Sequence, residues 1–182
     1  MRKIESIAEN LWVYNSSFAL PKGLLPIGIP GFFGKCKLRM TIVRLKNDDL
    51  VLHSPTRPDD SLVSGLKALG KVKFIVGPCV MHTTYLLNWK TLFPEAEILV
   101  APRTGKRIPS LKGIKELSDQ NPIAPDELKQ KLMHGHTSRE TLFLHIPSKT
   151  LIATDLIYNI GKTSDLLEQW YYRLHRAFGK PA

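Results

Sequence analysis

Between residues 50 and 101, three short apolar runs alternate with two segments of helical character. This order restricts the fold more than any other feature of the chain. The runs 50–53, 72–76 and 98–101 have strand length and are rich in Leu, Ile and Val, whereas Leu62, Leu66 and Leu69 recur at helical spacing. Asp59, Asp60 and Ser61 supply capping oxygens at the start of that first helix, and Gly70 is a suitable stop. A second helix is expected over residues 83–92, ended by Phe93-Pro94. Parallel strands need a crossover and helices provide it, so a β-α-β-α-β order implies a partly parallel sheet with helices packed on a face.

The flanking segments read as strands. Residues 11–14 alternate, and 37–45 pairs with 50–53 as a hairpin turned at Asn47-Asp48-Asp49. A Pro/Gly-rich loop, 21–34, lies between the first two of these. Residues 102–125 contain four prolines and are expected to form a long connection with little regular structure. Residues 128–133, 141–146 and 150–154 read as three successive strands, and 164–178 as an amphipathic helix carrying Trp170 and Tyr171. Trp89, Tyr85 and Phe93 are expected to be core residues of the second helix rather than a stacking surface.

With 182 residues and 43% hydrophobic content, the chain can bury its core in one domain, residues 1–182. Its longest apolar stretch, 19–33, is broken by Pro21, Lys22, Pro26 and Pro30, so no membrane span is expected. Glu5, Glu9 and Asn10 occupy the place of a secretory apolar region, which points to a cytoplasmic protein. Cys36 and Cys79 lack the Cys-x-x-Cys spacing and are expected to be buried free thiols. The net charge of +10 is concentrated in two segments without acidic residues, one from Lys22 to Lys46 and one from Arg103 to Lys115. Such surfaces favour an anionic small-molecule substrate through field focusing, and nucleic acid less so.

Four of the six histidines, His53, His82, His134 and His136, lie next to expected strand ends, and Asp155 ends the last hairpin. Imidazole nitrogens and a carboxylate converging from strand ends are what a zinc, iron or manganese site requires. Each histidine can equally hydrogen-bond a local backbone group. Ser54 and Ser148 stand beside prolines without the Gly-x-Ser-x-Gly setting of a nucleophile elbow, and the glycines of 23–34 form no phosphate loop.

The order Gly135-His136-Thr137, strand, turn, strand, Asp155 resembles the later metal-ligand motifs of the metallo-β-lactamase superfamily. There a Gly-His-Thr turn supplies a histidine, and an aspartate ending a later strand bridges two metals. The phrases Leu-His-Ser-Pro at 52–55, Phe93-Pro94, and Pro-Ser-Lys-Thr-Leu-Ile-Ala-Thr-Asp at 147–155 resemble, more narrowly, a domain-of-unknown-function branch of that superfamily. The resemblance covers residues 10–160 and implies an α/β fold, the metallo-β-lactamase-like αββα sandwich. The H-x-H-x-D-H motif of active members is replaced by Pro78, Val80, His82 and Thr83 in the corresponding register, and the usual aspartate of the early hairpin is His53. Active members also add a further strand and a final histidine ligand, so the chain is expected to be either a C-terminally shortened member or a fragment. The resemblance therefore implies at most a mononuclear site: one zinc, or iron or manganese, on His82, His136 and Asp155, or no metal at all. If the chain is an enzyme, it is a hydrolase of an ester, thioester or phosphodiester, with His53 or His134 positioning water or moving a proton. The alternatives are a non-catalytic binding or scaffold protein using the same cleft, or an RNA-associated protein.

Overall fold

The structure, a computed structural model, describes residues 3–19, 35–135 and 138–157, with the side chains of 18–19 and 35–37 excepted. The chain starts with an antiparallel series, Ile4–Ala8 (β1), Leu11–Ala19 (β2), Lys35–Arg44 (β3) and Asp49–His53 (β4). It continues through the helix Asp60–Leu69 (α1), Lys71–Gly77 (β5), the helix Leu86–Leu92 (α2) and Glu97–Val100 (β6) to the short Lys115–Glu116 (β7). These seven strands form one sheet in sequence order, with β4 to β7 parallel. Leu128–Leu132 (β8), Thr141–His145 (β9) and Thr150–Ile152 (β10) make a separate antiparallel sheet with β9 in the middle.

The β-α-β-α-β reading of the middle of the chain is therefore realised. The α1 helix starts where the sequence places it because the Asp59 carboxylate accepts the Leu62 amide at 2.9 Å. Its second oxygen accepts the Tyr14 hydroxyl at 2.6 Å, which ties the helix start to β2. β1 was not anticipated, and β2 runs well beyond residue 14. The connection 102–125 has little regular structure, as expected: a one-turn 3-10 helix at Gly105–Arg107 and the two-residue β7. The second helix also starts later than expected, at Leu86, since residues 83–85 form a turn closed by the Leu86 amide on the Thr83 carbonyl. The loop 21–34, the side chain of Cys36 and the helix expected over 164–178 lie outside the described residues.

Strand side chains alternate between faces, and the alternation divides the core in two. Leu50, Leu52, Ile75, Ile98 and Met40 pack with Leu62, Leu66, Leu86 and Trp89 under the two helices. Val51, Val76, Val43 and Leu11 face the small sheet and pack with Leu128, Phe143 and Ile152. Among the described residues, helices, large sheet and small sheet thus form three successive layers. His53, two residues after Val51, points into the same inter-sheet layer, where its ring meets Phe143 edge-on at 5.3 Å. No helix among the described residues is long and apolar enough to cross a membrane.

Candidate functional site

In a parallel sheet the carboxyl ends of the strands share one edge, and the loops that leave them line a common cleft. At that edge β4 ends on His53 with Ser54 next, β5 leads into residues 78–85, and β6 leads into 101–107. The Ser54 amide bonds the Val76 carbonyl at 2.9 Å, and Ser54 takes a left-handed conformation (φ 54°) as the chain turns out of the sheet. Gly77 lets the next loop fold back: a Cβ there would stand 3.2 Å from the His82 carbonyl oxygen and 3.2 Å from Leu86. The loop is also stitched to the small sheet, where the Val80 amide bonds the Ser138 carbonyl at 3.3 Å and the Thr141 amide bonds the Pro78 carbonyl at 2.8 Å.

Asp155 enters from the opposite side, just past the end of β10. Its Oδ2 accepts the Cys79 thiol at 2.9 Å, and its Oδ1 lies 3.3 Å from His82 Nε2. The other ring nitrogen of His82, Nδ1, is 2.5 Å from Ser54 Oγ. Donor atoms of Cys79, His82 and Asp155 all lie within 4.8 Å of one another. The His82 and Asp155 side chains keep 20% and 18% exposure, which leaves the cluster open to a small solute. Burial, then the hydrogen bond and charge of Asp155, pushes the Cys79 thiol up to about 12.

Two hydrogen placements satisfy this geometry. If Nδ1–H donates to Ser54 Oγ, then the Nε2 lone pair, the carboxylate and the sulfur face one another and form a cation-binding donor set. If Nε2–H donates to Asp155, Nδ1 instead accepts the Ser54 hydroxyl. The sulfur, imidazole and carboxylate of the first arrangement fit a zinc-like ion that displaces the thiol proton, because sulfur and nitrogen donors are those that borderline-soft metals select.

Of the residues singled out from sequence, His82 and Asp155 are brought together. His53 is nearby and 3% exposed, with Nε2 unpartnered among the described residues. Its burial, together with the charge of His82, lowers its pKa to about 3, so it is a neutral imidazole throughout the physiological range. His134 is exposed at the exit of β8, where its charge acts on Asp119. His136 lies outside the described residues. Sequence reasoning missed Cys79 and Ser54 as members of the site. Cys79 is buried and free, as expected, but it stands three residues before His82 in a post-strand loop, and that Cys-x-x-His spacing was the available signal.

The family described as Domain of unknown function (DUF4336) matches residues 26–105. No curated protein sequence matches the chain. Among solved structures, the DIM-1 metallo-β-lactamase exposed to ceftazidime is similar at 14% identity and a TM-score of 0.65, covering 100% of this chain and 90% of that one. The TMB-1 structure is similar at 10% identity and a TM-score of 0.67, covering 100% and 91%. The metallo-β-lactamase from Pontibacter korlensis gives 14% identity and a TM-score of 0.63, covering 97% and 87%. The mixed sheet, its crossover helices and the facing small sheet are thus those of the metallo-β-lactamase fold, carried by a chain whose residues 26–105 match the DUF4336 family.

Proposed function

We propose that the protein is a hydrolase with a single metal site, held by Cys79, His82 and Asp155 with His136 as a further ligand, acting on an anionic ester, thioester or phosphodiester. The observation that carries this reading is the convergence of thiol, imidazole and carboxylate within 4.8 Å at the carboxyl edge of the sheet. Bound there, zinc would act as a Lewis acid and lower the pKa of a water molecule. Ser54 accepts the Nδ1 proton of His82 and so directs Nε2 to the site. His53 stays neutral and serves to position rather than to take up a proton; the geometry gives no comparable support to His134. Exposed Arg103, Lys106 and Arg107 sit in the loop after β6, at the same edge, and would draw an anionic substrate toward the cluster. A free thiol among the ligands suits the reducing cytoplasm.

The test is metal content per chain after exposure of untagged protein to zinc, iron and manganese in turn. A stoichiometry near one is expected, lost in His82→Ala and Asp155→Ala and strongly reduced in Cys79→Ser. A stoichiometry near zero with all three metals would remove the reading.

One observation favours a second reading. The hydrogen bonds from Ser54 through His82 to Asp155 form a serine–histidine–carboxylate relay in the Nε2–H arrangement. In this reading Ser54 Oγ attacks an ester carbonyl as its proton passes to His82 Nδ1. The departing alcohol takes that proton, and water then hydrolyses the acyl-serine. A fluorophosphonate should then label Ser54 in chelator-treated protein and fail to label it in His82→Ala. Unlabelled Ser54 in the chelated wild type would exclude the relay and leave the metal reading untouched.

A further inference from the structure

The fully buried carboxylate of Glu140 stands behind the cluster rather than in it. Glu140 directly precedes β9, at 0% exposure, in the short segment that links the described part of the Gly-His-Thr turn to the small sheet. Its Oε2 accepts the amides of Asp155 at 2.9 Å and Leu156 at 2.6 Å, while Oε1 accepts the amide of Thr154. Three successive backbone N–H groups thus converge on one side chain. Such a concavity binds anions in other settings; here the chain supplies the anion itself.

The three amides need this partner because of where they lie. Among the described residues β10 is an edge strand that ends at Ile152, so residues 154–156 have left the ladder. Without Glu140 their amides would be half-buried donors with no acceptor from the strands among the described residues, and the backbone carrying Asp155 would lose this tie. The main chain around Glu140 is anchored as well. Its carbonyl accepts the Met133 amide at 2.9 Å, and its neighbours Ser138 and Thr141 bond to Val80 and Pro78, on either side of Cys79. One short segment therefore holds both the Cys79 loop and the Asp155 loop.

We infer that Glu140 is a positioning residue that aims the Asp155 carboxylate at Cys79 and His82 by clamping the backbone of residues 154–156. A carboxylate suits the task because both oxygens only accept. A glutamine places an NH2 group against at least one backbone N–H, and an aspartate is one methylene too short.

Two measurements test this, and only the second rests on the metal reading. In chelated wild-type protein, amide hydrogen exchange followed by NMR should show the amides of Asp155 and Leu156 protected at least about tenfold beyond exposed loop amides. Exchange at the exposed-loop rate would overturn the inference, whether or not a metal binds and whether or not any variant folds. In zinc titrations, Glu140→Gln should weaken binding about 10- to 100-fold, the range seen when groups that orient ligands are changed. Added to Asp155→Asn, it should cause no further loss, because it acts through that residue. Leu128→Ala, a core change in the same small sheet, should lower the melting temperature while leaving zinc affinity unchanged, which separates positioning from general stability. Unchanged affinity in Glu140→Gln, or a loss that adds fully to that of Asp155→Asn, would overturn the inference. A wild type that takes up none of zinc, iron and manganese would remove the proposed function, and the exchange rates alone would then decide the role of Glu140.

Discussion

Replacing Trp89 by alanine will destabilise the protein by about 3 to 5 kcal/mol, the cost of removing a large aromatic side chain from a packed core. Trp89 is 0% exposed, stacks on Phe93 with ring centroids 5.9 Å apart, and packs under the helix layer against the large sheet. Its indole N–H also donates to the Thr56 carbonyl at 2.6 Å, so truncation leaves a buried acceptor without a partner. Against a typical total stability of roughly 5–15 kcal/mol, such a loss leaves a large unfolded fraction at 37 °C. Thr56 follows Ser54 and Pro55, so the same hydrogen bond secures the segment that brings Ser54 to His82. Trp89→Phe should recover most of the packing but not this bond, with an intermediate loss and a weakened site. Urea denaturation followed by circular dichroism measures both variants, and a change below about 1 kcal/mol for alanine would contradict the packing described.

The second large effect is acid destabilisation through His53. Its pKa falls from 6.5 in the unfolded chain to about 3 in the fold, first because burial penalises the imidazolium and next because of the charge of His82. Between these two values the unfolded state holds the proton and the native state does not, so stability rises with pH across the window. The contribution is complete above pH 6.5 and is lost progressively as pH falls toward 3. The slope is at most about 1.4 kcal/mol per pH unit, or roughly 3 to 5 kcal/mol in all. Buried His145, also lowered by desolvation, adds in the same direction. His53→Phe removes the titrating group, keeps an aromatic ring beside Phe143 and removes the unpartnered Nε2. In chelated protein, unfolding free energies of wild type and variant should be similar near pH 7.5 and should diverge below pH 6 in favour of the variant. Parallel curves from pH 7 to 4 would show that His53 is protonated in the fold.

These effects arise where sequence patterns and tertiary structure meet. Most of the strand and helix order was legible, because short apolar runs, the Asp59 cap and the leucine spacing of α1 are local signals read by local backbone physics. β1 escaped because its two isoleucines, Ile4 and Ile7, stand three apart rather than alternating, and its pairing with β2 supplies what the local pattern does not. The membership of Trp89 in the core was also legible from its spacing on the helix. His82 and Asp155 were identified as strand-end residues, and a fixed sheet edge turns that position into proximity.

What the sequence determined by itself was therefore the layered α/β order and the strand ends from which a site could be built. Which side chains meet there was decided only by the tertiary structure. Cys79, Ser54 and Glu140 lie 76, 28 and 15 residues from the partners they contact, Asp155, His82 and the Asp155 backbone. No local pattern records separations of that size. They are set by the register of the parallel strands and by the packing of the small sheet against the large one. A cysteine expected to be a buried thiol thus faces a carboxylate, a serine without a nucleophile motif meets a histidine, and an ordinary glutamate becomes the clamp on Asp155.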